Sequence, residues 1–208
     1  MAGFQKISRQ QGPRPGRPRD PEADRAILQA TLKLLTDQGY AGMSVERVAS
    51  EAGVGKTTIY RRYASKEELA VAAVGILRDD FGPPPNTGNT RTDIIQIIVQ
   101  NQVALEHGPG FAIIGALLVE ERRNPALLEL FRERIIRPRK DEAVMVLQRG
   151  VDRGEIRADV DLEVAVHAMV GAMFARHILG DLESIKRIEE TVDIVWTGLA
   201  TKPRLPTT

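Results

Sequence analysis

The sequence predicts an all-α protein of about nine helices, with an N-terminal three-helix helix-turn-helix domain followed by a larger helical domain. Three observations lead to this prediction. Apolar residues recur at helical spacing in successive segments. Most of these segments begin at a capping residue and end at Gly or Pro. No segment alternates polar and apolar residues around a hairpin turn, so no strand is predicted.

The composition excludes several classes of protein. The 208 residues include no Cys, which rules out a disulfide scaffold, a zinc–thiolate site and a cysteine nucleophile. The N-terminus shows no apolar signal segment, and no run of about 18 unbroken apolar residues predicts a membrane span. Aromatic residues are 4% of the chain, too few for a platform that stacks single-stranded nucleic acid. A cytoplasmic location is expected.

The near-neutral net charge of +1 conceals an asymmetry along the chain. Residues 1–66 contain 12 Lys and Arg against 6 Asp and Glu, whereas residues 67–208 contain 17 against 22. A basic N-terminal third on an acidic remainder indicates that one end meets a polyanion. Chance clustering of solvated charge explains the asymmetry equally well when charge is considered alone.

The first helix follows an unstructured arm. Residues 1–19 are polar and rich in Gly, Pro and Arg, so we expect them to be disordered. Asp20 can cap the first helix, and Pro21 suits its first position. Gly39 is expected to end this helix.

Two short helices follow, joined by a tight turn. Ser44 can cap the second helix, which ends at Gly53, where we expect a positive φ. The third helix is predicted from Lys56 to about Tyr63. Two short helices around a glycine turn form a helix-turn-helix arrangement.

A fourth helix connects this unit to the rest of the chain. Ser65 and Glu68 have the spacing of a capping box, which predicts a helix start at about residue 66. This helix should reach about residue 80, because residues 81–89 are rich in Pro and Gly. The predicted divisions are an arm at 1–19, a helix-turn-helix domain at 20–66 and a C-terminal domain at 81–208.

Five further helices are predicted in the C-terminal domain from their caps and breaks. Thr90, with Asp93 three residues later, can open the fifth helix. Pro138 falls inside the long seventh helix, so a kink is expected there. The remaining bounds are Phe111 to Arg123 for the sixth helix, Asn124 to Arg153 for the seventh, Asp161 to Leu179 for the eighth and Leu182 to Leu199 for the ninth.

The third helix carries the clearest chemistry. Its exposed start has short polar and cationic side chains that could meet base edges in a major groove: Lys56, Thr57 and Thr58. Tyr60, Arg61 and Arg62 are expected on outward faces. At the start of the fourth helix, the charge of Lys66 and the free amides could grip phosphate. The alternative is a basic helix that is merely solvated.

Residues 21–77 resemble the DNA-binding domain of the tetracycline-repressor (TetR) family of bacterial transcriptional regulators. The similar segments are 44–54 (SVERVASEAGV), 55–63 (GKTTIYRRY) and 65–69 (SKEEL). The resemblance implies groove contacts by Lys56, Thr57, Thr58 and Tyr60, and DNA-backbone contacts by Ser44, Arg62 and Lys66. Gly55 departs from the family pattern, in which Ser or Thr often caps the recognition helix.

The same resemblance implies a function for the whole chain. It implies a repressor that binds a palindromic operator as a homodimer, with two recognition helices about 34 Å apart. A small-molecule effector would favour a conformer in which the fourth helix tilts and the spacing no longer matches. No cofactor, metal or catalytic residue is expected.

A phosphate-binding loop is a competing interpretation of residues 53–58. The segment imitates the end of the motif G-x-x-x-x-G-K-[ST], which needs a strand before it and a helix after it. Ser50 stands where the first Gly would be, and the preceding residues form an amphipathic helix. We therefore reject a nucleotide hydrolase.

The N-terminal arm offers a second set of DNA contacts. Arginines that flank prolines resemble short Gly-Arg-Pro segments that lie in narrow A·T minor grooves, where the negative potential attracts Arg. The candidate contacts are Arg17 and Arg19. A disordered tail with incidental arginines is an equally good explanation.

The C-terminal helices carry candidate effector and dimer residues. An apolar cavity would be lined by Phe111, Ile114, Leu118, Met145 and Phe174. Small residues on the eighth helix permit close helix contact, and the resemblance implies that the last two helices pair into a four-helix dimer bundle. The candidates are Ala168, Gly171, Ala172, Ala175, Ile188, Val192, Val195 and Trp196.

Two rival functions come from other classes. A helical enzyme would need paired catalytic groups, and none is recognisable; His167 and His177 lie ten residues apart on one helix and do not share a face at one level. A protein-interaction scaffold, or a small-molecule-binding protein without DNA binding, would not need the basic N-terminal third. Salt-dependent retention on duplex DNA would separate these alternatives.

Overall fold

A computed structural model describes residues 21–78, 82–106, 110–181 and 185–201, and these residues form nine helices. The helices are α1 (Pro21–Gly42), α2 (Val45–Glu51), α3 (Lys56–Tyr60), α4 (Lys66–Gly75), α5 (Thr90–Glu106), α6 (Gly110–Val119), the bent helix α7 (residues 125–152), α8 (Leu162–Leu179) and α9 (Ile185–Leu199). Within these ranges the only β pairing is an isolated bridge between Ile156 and Ala200. The all-α prediction is confirmed.

Local capping sets the starts of α2 and α4 as the sequence predicts, whereas α1 continues to Gly42 past its predicted stop at Gly39, which has a non-helical φ of 67°. The Ser44 hydroxyl accepts a hydrogen bond from the Arg47 amide at 3.3 Å. Gly53 has a φ of 65° in the turn, a conformation that L side chains avoid. The Ser65 hydroxyl accepts from the Glu68 amide at 3.1 Å. The Glu68 carboxylate reaches back one residue further than in a standard capping box and accepts from the Ala64 amide at 2.8 Å.

Several predicted helix bounds differ from the structure. α3 ends at Tyr60, and α4 ends at Gly75 before a 3₁₀ turn, Ile76–Arg78. Asn89 opens α5 in place of Thr90, because its Oδ1 accepts from the Thr92 amide at 2.9 Å. The Thr90 side chain is buried and accepts instead from Arg153. Asp20 and Leu182 lie outside the described residues.

The predicted kink of the seventh helix appears as a π-helical turn. α7 consists of an α-helical segment Pro125–Phe131, a π-helical turn Arg132–Ile136 and a second α-helical segment Arg137–Asp152. Pro138 lies in the first turn of the second segment, where its missing amide is tolerated. The proline therefore begins the second segment, and the chain widens before it.

Two buried clusters form the core. The first joins α1 to α4 with α6 and the start of α7, through side chains such as Ile27, Leu69, Ile113 and Leu127. The second joins α5, the second segment of α7, α8 and α9. The helix-turn-helix unit therefore packs against helices from beyond residue 81.

One helix combines a buried stripe with an exposed apolar face. α8 has the length and mean hydropathy of a membrane-crossing helix, a property that a search for unbroken apolar runs misses. One side of α8 packs in the second core cluster through Ala165, Val166 and Met169, and Met173 on the same helix is also buried. The opposite side is exposed at Val164, Ile178 and Leu179, so this packing explains only part of the apolar composition of α8.

Gly150 should be irreplaceable in the second segment of α7. A Cβ there would lie 2.6 Å from Thr90 Oγ1 and 2.8 Å from Thr90 Cγ2, and Thr90 is fully buried. We expect Gly150→Ala to lower the free energy of unfolding by about 1–3 kcal/mol through overpacking. In contrast, Gly115→Ala on α6 meets nothing within 4 Å and should be neutral or stabilising by up to ~1 kcal/mol. Urea denaturation of both variants checks the difference.

Candidate nucleic-acid interface and internal cavity

α3 has one anchored face and one open face. Ile59 is buried in the first core cluster and fixes the helix against α1 and α2. Lys56 and Thr57 are exposed, Thr58 is half-buried, and the Tyr60 side chain is 50% exposed. A short rigid helix that presents these polar groups to solvent has the geometry of a helix that enters a DNA groove. Gly55 caps it without a side-chain hydrogen bond.

Lys56 forms an ion pair with a carboxylate on α2. Its ammonium donates to Glu46 Oε1, which raises the pKa of Lys56 and lowers the pKa of Glu46. The ammonium also lies 5.7 Å from the centroid of the Tyr60 ring. Both partners of the ion pair are exposed, so exchange of Glu46 for a DNA group would cost little.

Arg62 does not point outward, so this part of the sequence interpretation is wrong. Its side chain is 9% exposed, and its guanidinium donates to Asp24 Oδ1 at 2.7 Å. The Tyr63 hydroxyl lies 3.4 Å from the same oxygen. Asp24 thus ties α1 to the residues that follow α3, an arrangement that single-residue patterns do not reveal. Arg61, one position earlier, is exposed.

Arg62→Ala should therefore lower the stability of the protein as well as its affinity for DNA. Removal of the guanidinium leaves Asp24 without this partner, and we expect a loss of about 2 kcal/mol, less than for a fully buried pair because Asp24 is partly exposed. Arg61→Ala removes the same charge from an exposed position and should change stability by less than about 0.5 kcal/mol. Thermal unfolding of the two variants tests this; equal melting temperatures would contradict the structural role.

Two further predicted DNA contacts lie at helix starts. Ser44 caps α2 and is half-buried. The Lys66 ammonium lies 4.2 Å from the centroid of the Tyr40 ring, and burial lowers its pKa. Lys66 therefore packs at the first turn of α4, beside the free amides of that turn. Arg17 and Arg19 lie outside the described residues.

A polar cluster links α1, α4 and α7, and sequence analysis did not find it. Glu67 Oε1 accepts from the Tyr40 hydroxyl at 2.7 Å and from Asn124 Nδ2 at 2.8 Å. Asn124 also caps α7, as predicted, through the Leu127 amide. Glu68, the next residue of α4, accepts a hydrogen bond from Arg134 in the π-helical turn at 2.8 Å. We call Tyr40, Glu67 and Asn124 the clamp; only the capping role of Asn124 had a sequence signal.

The clamp alters the pKa values of its members. Burial and the hydrogen bond to Glu67 raise the pKa of Tyr40. The hydrogen bond from Tyr40, ahead of other causes, lowers the pKa of Glu67 from 4.5 to about 2. The hydrogen bond shared by Tyr40 and Glu67 favours the neutral phenol and the charged carboxylate, so it contributes to both shifts.

Glu67 should make the stability depend on acid pH. A carboxyl with a lowered folded-state pKa contributes stability above pH 4.5 that is lost as the pH falls toward 2. We expect wild type to exceed Glu67→Gln in stability at pH 6 and the two curves to converge near pH 2. Unfolding midpoints measured across this range check the prediction, and a constant difference at all pH values would contradict it.

An apolar cavity of about 170 Å³ lies between the two core clusters. It is bordered by α4, α5, α6, both segments of α7 and α8. Of the predicted lining residues, Ile114 and Phe174 border it. Sequence analysis missed others that share its apolar wall: Val74, Leu77, Phe131, Ile135, Val170 and Met173.

The other predicted lining residues lie elsewhere. Leu118 is 53% exposed on α6, and Met145 is exposed on α7, so their assignment to the cavity is wrong. Their apolar character suggested burial, but helix rotation turns them to solvent. Phe111 does not border the cavity; it packs edge-on against Phe174 at 5.4 Å and stacks on His177 at 3.6 Å between ring centroids.

The candidate dimer residues divide between two faces. On α8, Ala168, Gly171 and Ala175 are exposed, and Ala172 is half-buried. On α9, Ile188 and Val192 are buried in the second core cluster, where Val195 and Trp196 also pack. The assignment of Ile188 and Val192 to an intermolecular surface is therefore wrong; they anchor α9 to its own protomer.

No group of three or more His, Asp or Glu side chains within the described ranges could hold a metal ion. His167 borders the cavity, His177 stacks on Phe111, and His107 lies in a gap between those ranges. The histidines that sequence analysis weighed as ligands thus have separate surroundings.

Two protein-family models match the chain. One, described as bacterial regulatory proteins of the tetR family, matches residues 27–73. The other, described as a tetracyclin repressor-like C-terminal domain, matches residues 84–195.

Relatives and solved structures are similar over most of the chain. The HTH-type transcriptional regulator Rv1556 of Mycobacterium tuberculosis is 36% identical over 167 residues, which cover 80% of each chain. The DNA-binding transcriptional repressor TetR of Mycobacteroides abscessus is 30% identical over 154 residues, 74% of this chain and 80% of its own. The crystal structure of the regulator SCO0332 superposes with a TM-score of 0.65 at 28% identity, covering 86% of this chain and all of that one.

Proposed function

Because this chain belongs to the TetR family of helix-turn-helix DNA-binding transcriptional regulators, we propose that it is a repressor that binds a palindromic operator as a homodimer. A small molecule in the cavity would release the operator. The open face of α3 is the observation that carries the proposal. A similar protein is named a repressor, which supports the direction of control. A cytoplasmic location accords with binding of genomic DNA.

The DNA contacts proposed for each protomer combine groove and phosphate groups. Lys56, Thr57 and Tyr60 on α3 would meet base edges, with Thr58 beside them. The phosphate contacts would be made by Ser44, Arg61 and Lys66, with the arm residues Arg17 and Arg19 in the minor groove. Arg62 would act chiefly by holding α3 in place, given its ion pair with Asp24.

The exposed face of α8 supports the homodimer. Apolar and small residues recur at intervals of four and three, the spacing of a helix–helix seam: Val164, Ala168, Gly171, Ala175 and Ile178. Ile178 is 82% exposed, and Ile194 on the adjacent α9 is 77% exposed. Such a face is costly in water and is typical of an interface. We name the surface formed by the five α8 residues of this seam, Val164 to Ile178, the α8 face.

The route from cavity to DNA would pass through α4 and the π-helical turn. Both border the cavity, through Val74 on α4, with Leu77 in the 3₁₀ turn that follows it, and through Ile135 and Ile136 on the π-helical turn. The same two elements are joined by the Glu68–Arg134 ion pair, and α4 begins at the clamp. An effector that moves these walls would shift the start of α4 and, with it, α3. A coupling free energy of about 1–3 kcal/mol is typical of such linkage.

Selection of duplexes from a random pool by the purified full-length protein tests the proposal. We expect enriched fragments with inverted half-sites one or two helical turns apart. Sedimentation of the protein with an enriched duplex should give two chains per site or a multiple of two. A protein that enriches no sequence would contradict the proposed repressor, and enrichment of a single asymmetric site by one chain would contradict the dimer.

A further inference from the structure

The cavity has a charged rim in addition to its apolar wall. Arg139, Lys140 and His167 are its ionisable lining residues, and no described lining residue is Asp or Glu. Arg139 and Lys140 lie in the first turn of the second α7 segment. His167 lies on α8, one turn after Glu163, whose carboxylate accepts from the Lys140 ammonium at 2.6 Å. The three side chains therefore lie where these two helices meet.

The volume limits the apolar part of any ligand. A cavity of about 150 Å³ lined by aliphatic and aromatic side chains holds a benzene molecule. The cavity here is about 170 Å³, so it has room for a single ring or a short chain. Phe131, Met173 and Phe174 in its wall suit such a group, because they offer rings and a polarisable thioether.

Resting on the proposed function, we propose that the effector is a small apolar carboxylic acid. Its ring or chain would lie among the apolar side chains, and its carboxylate would lie beside Arg139 and Lys140. A carboxylate matches the sign of the rim and accepts charge-assisted hydrogen bonds from both cations. An ammonium group of the same size would meet the like charges of Arg139 and Lys140.

Glu163 competes with this ligand for Lys140. The Lys140–Glu163 pair has an exposed carboxylate and a second acidic neighbour, Asp141, at 3.5 Å from the ammonium. Solvent screens the exposed Glu163 carboxylate and weakens its attraction to the half-buried Lys140, so an incoming carboxylate can share or replace Glu163. Removal of the charge of Glu163 should therefore tighten acid binding, an effect that structural damage does not produce.

Equilibrium dialysis of the full-length protein, without DNA, tests the inference. The probes are phenylacetate and octanoate, each with its matched alcohol and its matched primary ammonium. We expect each acid to bind about tenfold more tightly than its alcohol, with the ammonium weakest. Lys140→Met and Arg139→Met should each weaken the acids about tenfold and change the alcohols less than twofold. Glu163→Gln should tighten the acids about threefold.

Arg137→Met is the matched control. Arg137 lies in the same helical turn, pairs with Glu129 and Glu133, and does not border the cavity; it should leave acid binding within twofold. Failure of both acids to bind, equal binding of acid and alcohol, or equal effects of Lys140→Met and Arg137→Met would each overturn the inference. Operator titration is performed separately, so loss of the repressor proposal would appear as absent duplex binding, whatever dialysis gives.

Discussion

Ile178→Glu is expected to give a folded monomer that binds the operator about 10²–10⁴-fold more weakly than wild type. The side chain is 82% exposed in the protomer, so the carboxylate costs the monomer nothing in its own core. In the proposed dimer the same position lies in the seam of the α8 face, where two like charges would be desolvated. A dimer engages its second half-site at high effective concentration, and that gain disappears with the interface.

The control for this variant is Val119→Glu. Val119 on α6 is 74% exposed and lies outside the α8 face, so the same kind of substitution should leave the mass of the dimer unchanged and the operator affinity within twofold of wild type. Sedimentation gives the mass, and fluorescence anisotropy with a labelled operator gives the affinity. An Ile178→Glu protein that sediments as a dimer would show that the protomers meet elsewhere.

Lys56→Ala is expected to reduce operator affinity about 30-fold to 10³-fold while the dimer stays folded. A groove contact contributes about 1–3 kcal/mol, and each dimer would lose it twice. The variant also leaves Glu46 without its α2–α3 partner at the DNA-facing surface, and an uncompensated carboxylate near phosphate adds repulsion. Melting temperature should change little, because both members of the pair are exposed.

Lys33→Ala provides the comparison. Lys33 pairs with Glu51 in an ion pair of similar exposure, formed between α1 and α2 and outside α3. Lys33→Ala removes the same net charge as Lys56→Ala, so it measures how much of the operator affinity comes from general electrostatic attraction. If the two variants lost equal affinity, Lys56 would be acting through long-range charge alone. The salt dependence of binding separates two roles of Lys56: loss of a phosphate contact in Lys56→Ala would reduce the slope of affinity against salt concentration, whereas loss of a base contact would leave the slope unchanged.

Features that depend on neighbouring residues were predictable from the sequence. The caps at Ser44, Ser65 and Asp161 and the turn at Gly53 follow from hydrogen bonds within three residues or from one backbone conformation. The start of α5 was missed because Asn89 and Thr90 are both capping residues, and only tertiary contact with Arg153 draws Thr90 inside.

Features that depend on how a helix is rotated about its axis, and so on which face is buried, were less predictable. Arg62, Leu118 and Ile188 were each assigned to a surface or cavity from residue type and period. The period places residues on a common stripe, but it does not say which neighbour covers that stripe. Asp24 covers Arg62 from 38 residues away, and the second core cluster covers Ile188. Such pairings leave no trace in a single amphipathic pattern.

The first core cluster limits how this regulator could be recombined with others. Its buried side chains come from α1 to α4 and also from α6 and the start of α7. A chimera cut at residue 81 would therefore place an unmatched surface of Ile113, Leu117 and Leu127 under the transplanted head, and packed surfaces tolerate such mismatch poorly. A chimera that keeps α6 and the first segment of α7 together with α1 to α4 would preserve this shared core.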